Sequence, residues 1–455
     1  MSTQRGPRRL ASAALLSLGC AIVVAVLAFP TPLDVLAAGL WRVAPTCVEV
    51  AAILLGGVLL NELMSVGGAN ERLADWLATV CREPARAVVL ILLGVTPFAE
   101  SVTGFGVGVV IAVPLLLRLG LAPTRAAITG LLGLVTVPWG ALGPGTLVAA
   151  QFTGVDLRQL GVHSALLSLP VFLMAAAGGL ITAVGPRRAR RTVPELLIGV
   201  AALGFGVWAV NVTIGVPLAG VLGSVFSIGV LLLAAGIRER RKLTFTRRLA
   251  WALRPYACLV VGLLGGRALA SALPGAGAFV SSPASWLLAT CALTPWLLRI
   301  PPDALVPAGR TALARWTPVA VTTVTFLVLG ALLTVTGMSA AVAGAAAGLG
   351  EAYLFLAAFI GALGGFVTGT NVGANAMLVT SQATAAHALG VGTLSLVAVQ
   401  NVAASLATMA SVPRVALAVG LAGHEAVQHG RVLRTVLLVD IAILAVLGGV
   451  TVIGT

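Results

Sequence analysis

The stretch FAESVTGFGVG, Phe98 to Gly108, decides how this chain is read. It is polar and glycine-rich, and it separates two short apolar runs, Ala87–Pro97 and Val109–Leu117. A second break of the same kind, GGFVTGTNVGANAM, runs from Gly364 to Met377, flanked by Tyr353–Leu363 and Ala376–Thr380. Each arm is shorter than the about 20 helical residues that cross a bilayer core. Backbone that leaves a helix inside lipid must be buried in protein or line a watery cavity. Two glycine-interrupted apolar segments in matching positions of two halves point to the binding site of a carrier.

The rest of the chain agrees with a membrane setting. It is 59% hydrophobic and only 9% charged, a balance that identifies a polytopic helical membrane protein. The net charge of +14 does not indicate nucleic acid, because the basic residues sit in short clusters between apolar spans. The five cysteines, Cys20, Cys47, Cys81, Cys258 and Cys291, are scattered and form no CxxC pair, so neither a disulfide framework nor a metal site is expected. Arg5, Arg8 and Arg9 precede the apolar run Leu10–Phe29 without a small-residue cleavage site, which reads as an uncleaved first span.

Taken in order, Cys47–Met64 is a second span and Gly67–Arg86 an amphipathic surface helix. The first hairpin, Ala87–Leu117, follows. Then come an interrupted span, Ala126–Leu142, containing Pro138, and a further span, Ser164–Val184. PRRARR (Pro186–Arg191), Arg238–Arg248 and the loop with Arg299, Arg310 and Arg315 are cytoplasmic markers. Between them lie Leu196–Val212, Pro217–Ala235, Tyr256–Leu273 and Ala284–Leu298. The last third holds the span Pro318–Gly337, a short Ala/Gly-rich piece, the second hairpin (about Glu351–Gly390), Val391–Met409 with Gln400 and Asn401 inside it, and Val436–Val452. With the N-terminus and basic loops inside, the order span, surface helix, hairpin, interrupted span, span occurs twice in opposite orientations. The expected fold is therefore all-α, with inverted-topology repeats that each carry a re-entrant hairpin and an interrupted helix. The repeats are residues 1–192 and 317–455, and residues 193–316 supply linking and scaffold helices.

At the first tip, Ser101 and Thr103 offer hydroxyl donors, and Gly104, Phe105 and Gly106 let backbone approach a ligand closely. The second arm begins near Gly106–Gly108, where amide N–H groups lack intrahelical partners and attract an anion such as a carboxylate. The second tip offers Thr368, Gly369, Thr370, Asn371 and Asn375, and the interrupted span adds Asn401. Against this stands a plainer reading, in which the small residues only allow close helix packing. Glu100 has two readings. A carboxylate at membrane depth fits a proton carrier in symport, or it is a structural tie bonded to the hairpin amides. HEAVQH (His424–His429) has its second histidine one position late for a zinc-protease helix face. No metal and no cofactor are expected, and the 14 acidic residues form no cluster suited to a membrane enzyme.

Phe98–Gly106, Gly140–Gly143 (Gly-Ala-Leu-Gly), Gly361–Met377 and the segment Gln400–His429 together resemble the lactate permease family of bacterial transporters. In the second motif Thr368, Gly369, Asn371 and Asn375 match the family pattern; Thr370 stands where it has Ser, and Val107-Gly108 where it has Thr-Pro. The resemblance implies proton-coupled transport of lactate, glycolate or a related short carboxylate across the bacterial cytoplasmic membrane. The implied partners are a small organic anion, a coupling ion (proton, with sodium as the alternative) and the lipid bilayer. A homodimer is compatible with the sequence.

Overall fold

The computed structural model describes residues 5–80, 83–104, 106–239, 246–272 and 277–454. Phe105, residues 81–82 of the surface-helix segment and residues 240–245 of the second basic loop lie outside the described residues. Every regular element among the described residues is helical. Among the described residues nine helices are long and apolar enough to cross a membrane, or ten if one pair bent by 42° counts as a single span.

Helix α1 (Arg5–Ala28) leads into α2 (Leu33–Val66), which has Pro45 inside it. The short amphipathic α3 (Ala69–Val80) follows. The first arm of the hairpin begins as α4 (Pro84–Leu90), passes through a π-helical turn, Ile91–Val95, and ends as α5 (Thr96–Thr103). The return arm is α6 (Val107–Arg118). Next is a broken helix: α7 (Pro123–Leu132), a 3-10 segment Val137–Leu142, and α8 (Pro144–Thr153). The bent pair is α9 (Leu157–Leu167) and α10 (Leu169–Val184). The short basic helix α11 (Pro186–Arg191) leads to the hairpin of α12 (Val193–Thr213) and α13 (Val216–Glu239). Helices α14 (Arg247–Ala252), α15 (Arg254–Ala272), α16 (Gly277–Ser281) and α17 (Pro283–Leu297) complete the middle third.

The last third repeats the element order of the first. Helix α18 (Pro302–Val335) has 34 residues, as α2 does, and at 1.5 Å per residue each is about 51 Å long. The short α19 (Met338–Ala347) precedes a second hairpin, α20 (Glu351–Thr368) and α21 (Asn371–Ala388). A second broken helix follows: α22 (Thr393–Ala407), a 3-10 turn Thr408–Ala410, and α23 (Val412–Ala422). The final helix is α24 (His429–Gly454).

The hairpin arms are longer than the sequence reading allowed. Helix continues through Phe98–Thr103 in the first break and through Gly364–Thr368 in the second, so the arms Pro84–Thr103 and Glu351–Thr368 reach 20 and 18 residues. The reason is local. Thr103 Oγ1 donates to Ala99 O at 2.6 Å and Thr368 Oγ1 to Gly364 O at 2.8 Å, so these polar side chains bond back into their own helix rather than ending it. The helices stop only where glycine takes a positive φ, at Gly104 (69°) and Gly369 (68°).

Two large apolar cores organise the packing. One gathers α4, α6, α7, α10, α12 and α13 with α20 and α22 to α24; the other gathers α2, α15 and α17 with parts of α5, α13 and α18. Both hairpins therefore share a core, and α13 faces both. Ion pairs link neighbouring helices: Glu195 with Arg86 at 3.2 Å and with Arg238, Glu62 with Arg315, and Asp75 with Arg118 at 2.7 Å.

Candidate functional site

The first hairpin tip crosses the break in α7–α8. A side chain added at Gly104 would lie 2.5 Å from Ala141 Cβ, so only glycine permits this approach. Ala141 and Leu142 themselves have positive φ, 39° and 69°, followed by Gly143 at 78°. Three successive residues in that region, two of them non-glycine, hold strain that only close surrounding structure maintains. On another side, Gly106 (φ 82°) lies against Leu417 and Arg414 of α23.

The second tip reaches the opposite break. Asn375 Nδ2 donates to Gly145 O at 3.0 Å, and a Cβ at Gly145 would collide with Asn371. Gly369 faces Pro413 and Ser411, at the break between α22 and α23. Each tip therefore meets the interrupted helix of the other half. The segment Ser411–Arg414 lies between them, touching Gly369 with one end and Gly106 with the other.

The polar residues named from sequence separate into three groups. Asn371, Asn375 and Asn401 form one buried network. Asn401 Oδ1 accepts from Asn371 Nδ2 at 2.8 Å and from Asn375 Nδ2 at 2.9 Å, while Asn401 Nδ2 donates to Ser164 Oγ at 2.9 Å and Thr146 Oγ1 at 3.1 Å. The network continues through Gln400 and Gln382 to the hydroxyl of Tyr353. Such a chain of satisfied amides ties α21, α22, α8 and α9 in one geometry. The second group is local. Thr368 Oγ1 accepts from Thr370 N, and Thr370 Oγ1 caps α21 by accepting from Gly373 N at 3.0 Å. Ser101 stands apart, as its hydroxyl bonds to Thr136 Oγ1 and faces Gly220 of α13.

Glu100 forms the third group. It is 1% exposed, and its carboxylate accepts from Gly106 N at 3.0 Å and Gly108 N at 3.4 Å. The amides expected to be open to an anion at the start of α6 are thus occupied by a carboxylate of the same hairpin. Arg414 Nη2 lies 3.2 Å from Glu100 Oε1. Arg414 is 6% exposed, and its other terminal nitrogen, Nη1, has no hydrogen-bond partner among the described residues. The sequence reading missed Arg414, treating it only as the boundary of a partly apolar segment. The available signal was an arginine directly after Ser-Val-Pro (Ser411–Pro413) in an otherwise apolar run. Thr136, Thr146, Ser164, Gln382, Gln400 and Tyr353 were not named as site residues either. A single hydroxyl or amide in a helix does not reveal which helix it will face.

A second buried carboxylate, Asp440 of α24, is 2% exposed, and neither of its oxygens has a hydrogen-bond partner among the described residues. No group of three or more His, Cys, Asp or Glu that could hold a metal occurs among the described residues.

A family model described as L-lactate permease matches residues 8–249 and 269–454. The chain belongs to the L-lactate permease family. It is thus a permease of the membrane, not an enzyme. It is 24% identical to the L-lactate permease of Escherichia coli K12 over 453 residues, covering 85% of this chain and 80% of that protein. The L-lactate permease of Streptococcus iniae is 28% identical over 214 residues, 46% of this chain and 44% of that protein. Glycolate permease GlcA of Escherichia coli K12 is 30% identical over 158 residues, 33% of this chain and 27% of that one. Among solved structures, the Alcanivorax borkumensis YdaH transporter, whose crystal structure is described as having an unusual topology, covers 98% of both chains with a TM-score of 0.53 at 14% identity. That likeness gives the permease a transporter fold and nothing about its cargo.

Proposed function

We propose that this permease is a secondary active transporter of small monocarboxylates, 2-hydroxy acids of the lactate and glycolate kind, working by proton symport and alternating access. The crossed arrangement of two hairpin tips with two helix breaks carries the reading. It sets glycines, buried hydroxyls and amides and one arginine around the two tips, which suits a small anion. The names of the lactate and glycolate permeases among its relatives agree in substrate class. The two hairpins are re-entrant in this reading and the repeats inverted. The N-terminus faces the cytoplasm and the bilayer is the bacterial inner membrane. In the conformation described above, the three asparagines are engaged with one another, Ser101 with Thr136 and Thr103 with Ala99 O of its own helix. Opening releases part of that set to the substrate.

The test uses purified protein in proteoliposomes and a panel of radiolabelled short carboxylates, with imposed pH or sodium gradients. Accumulation of lactate or glycolate driven by an inward proton gradient, and abolished by a protonophore, is the expected result. Accumulation that follows sodium instead would transfer the coupling to that ion. Failure to move any monocarboxylate under either gradient would overturn the substrate class.

A further inference from the structure

We infer that Arg414 is the residue that binds the substrate carboxylate, and that Glu100 is its place-holder: the Glu100 carboxylate occupies Arg414 in the empty closed carrier and yields it when protonated. This rests on the monocarboxylate reading and assigns roles within that site.

Four observations support it. Arg414 lies in the first turn of α23, at a helix break that both tips touch. It is 94% buried by its 6% exposure, yet only one of its terminal nitrogens is paired, with Nη1 left unpartnered among the described residues. A buried guanidinium with a free N–H edge is costly unless something completes it. A planar fork of this kind matches a carboxylate with two parallel hydrogen bonds. Finally, the present partner is itself a carboxylate, so the site is already shaped for that group.

Glu100 is linked to the hairpin as well as to Arg414. Its carboxylate holds Gly106 N and Gly108 N, both at the first tip. A proton on Glu100 removes the negative charge that holds both partners. The tip is then freed from α6's first amides, and Arg414 is left with a positive charge and two open nitrogens. The substrate anion takes that place, so one proton and one anion enter together and net charge in the buried site is conserved. Without the proton, two carboxylates would compete for one guanidinium, which excludes anion binding alone and makes the coupling obligatory. Release on the other side reverses the exchange: the proton leaves Glu100, and its carboxylate displaces the substrate.

Several charged groups on the neighbouring helices are engaged elsewhere. On the helices against α5, Glu62 pairs with Arg315, Arg118 with Asp75, and Arg238 with Glu195, while Glu49 accepts from Ser282. Asp34 and Arg42 lie on the first half of α2, which meets the tip at Gly57. The elements against α23 carry Arg125 on α7, His424 and Glu425 on the 3-10 turn His424–Ala426, and His429, Arg431, Arg434 and Asp440 on α24; among the described residues none of them is seen paired with Glu100 or Arg414.

The experiment compares Arg414→Gln, Glu100→Gln and the double variant with wild type in proteoliposomes. It reads lactate uptake, lactate counterflow and lactate-induced thermal stabilisation, with lactamide as the uncharged control. Arg414→Gln is expected to lose lactate stabilisation and to raise KM at least tenfold. Glu100→Gln stands in for the protonated acid, and is expected to retain counterflow while losing pH-driven accumulation and the pH dependence of binding. Should Arg414→Gln not fold, the double variant removes both charges together and serves as the folded test; it is expected to melt near wild type and to bind no lactate. A purely structural ion pair predicts the same folding for the double variant but restored lactate binding and transport. That result, or a lactate KM within threefold of wild type in any variant lacking Arg414, overturns the assignment. Wild-type uptake of lactate or glycolate is measured alongside, so failure of the substrate class is seen separately from failure of the Arg414 role.

Discussion

Replacing Gly365 with alanine tests whether the second hairpin is held by close backbone contact. Gly365 lies one helical turn before the tip glycine, Gly369, on the face of α20 that meets α22. A Cβ there would stand 1.9 Å from Ala404 O, 2.7 Å from Ala404 C and 3.0 Å from Ala404 Cα. The obstacle is backbone, so no rotamer change relieves it. To restore a carbon–oxygen separation near 3.4 Å, the α20–α22 crossing would have to open by about 1.5 Å. Overpacking a tight core costs about 1–3 kcal/mol when side chains can adjust. With helix backbone as the immovable neighbour, about 3 kcal/mol is expected, roughly 150-fold in the folding equilibrium. The hydrogen-bonded asparagines joining α21 to α22 would be pulled apart by the same motion. The assay is thermal unfolding of detergent-purified protein, read by fluorescence-detected size exclusion, with lactate uptake in parallel. Gly344→Ala serves as control: this helical glycine has nothing within 4 Å of an added Cβ and should gain about 0.5–1 kcal/mol. If Gly365→Ala melts as wild type does and transports normally, the inference that glycine sets this crossing distance is wrong.

Gly106→Ala should weaken the protein for a different reason: φ is 82° and the nearest atom to an added Cβ is a flexible leucine terminus at 3.4 Å, so backbone strain of about 1–2 kcal/mol is expected without a clash. A melting temperature equal to wild type would count against the left-handed assignment at the tip. Asn401→Leu removes the acceptor shared by Asn371 and Asn375 and the donor to Ser164; Asn375 keeps Gly145 O, whereas Asn371 Nδ2 loses its only identified partner. A loss of about 1–3 kcal/mol is expected from the stranded donor, and an unchanged melting temperature would refute the view that this network ties α21 and α22 to α8 and α9.

The sequence was informative about segments and silent about their partners. Composition alone required a helical membrane protein, because so apolar a chain has too few polar groups to present to water. Glycine spacing located both tips, since positive φ at Gly104 and Gly369 is a property of single residues. It misjudged how far the arms run. Thr103 and Thr368 look like loop formers until their hydroxyls are seen bonded back to the preceding turn. The 34-residue lengths of α2 and α18 were likewise cut short, with spans begun at Cys47 and Pro318, although the helices start at Leu33 and Pro302 and carry Pro45 and Pro318 within them.

What the sequence determined by itself was the set of local conformations: helices, their breaks, and the repeated order in which they come. Only tertiary structure decided that Glu100 fills the amides of its own hairpin, that Arg414 stands beside it from more than 300 positions away, and that each tip touches the broken helices of both halves. Local preferences depend on a few neighbouring residues, whereas these meetings depend on how whole helices pack, and no short stretch of chain carries that information.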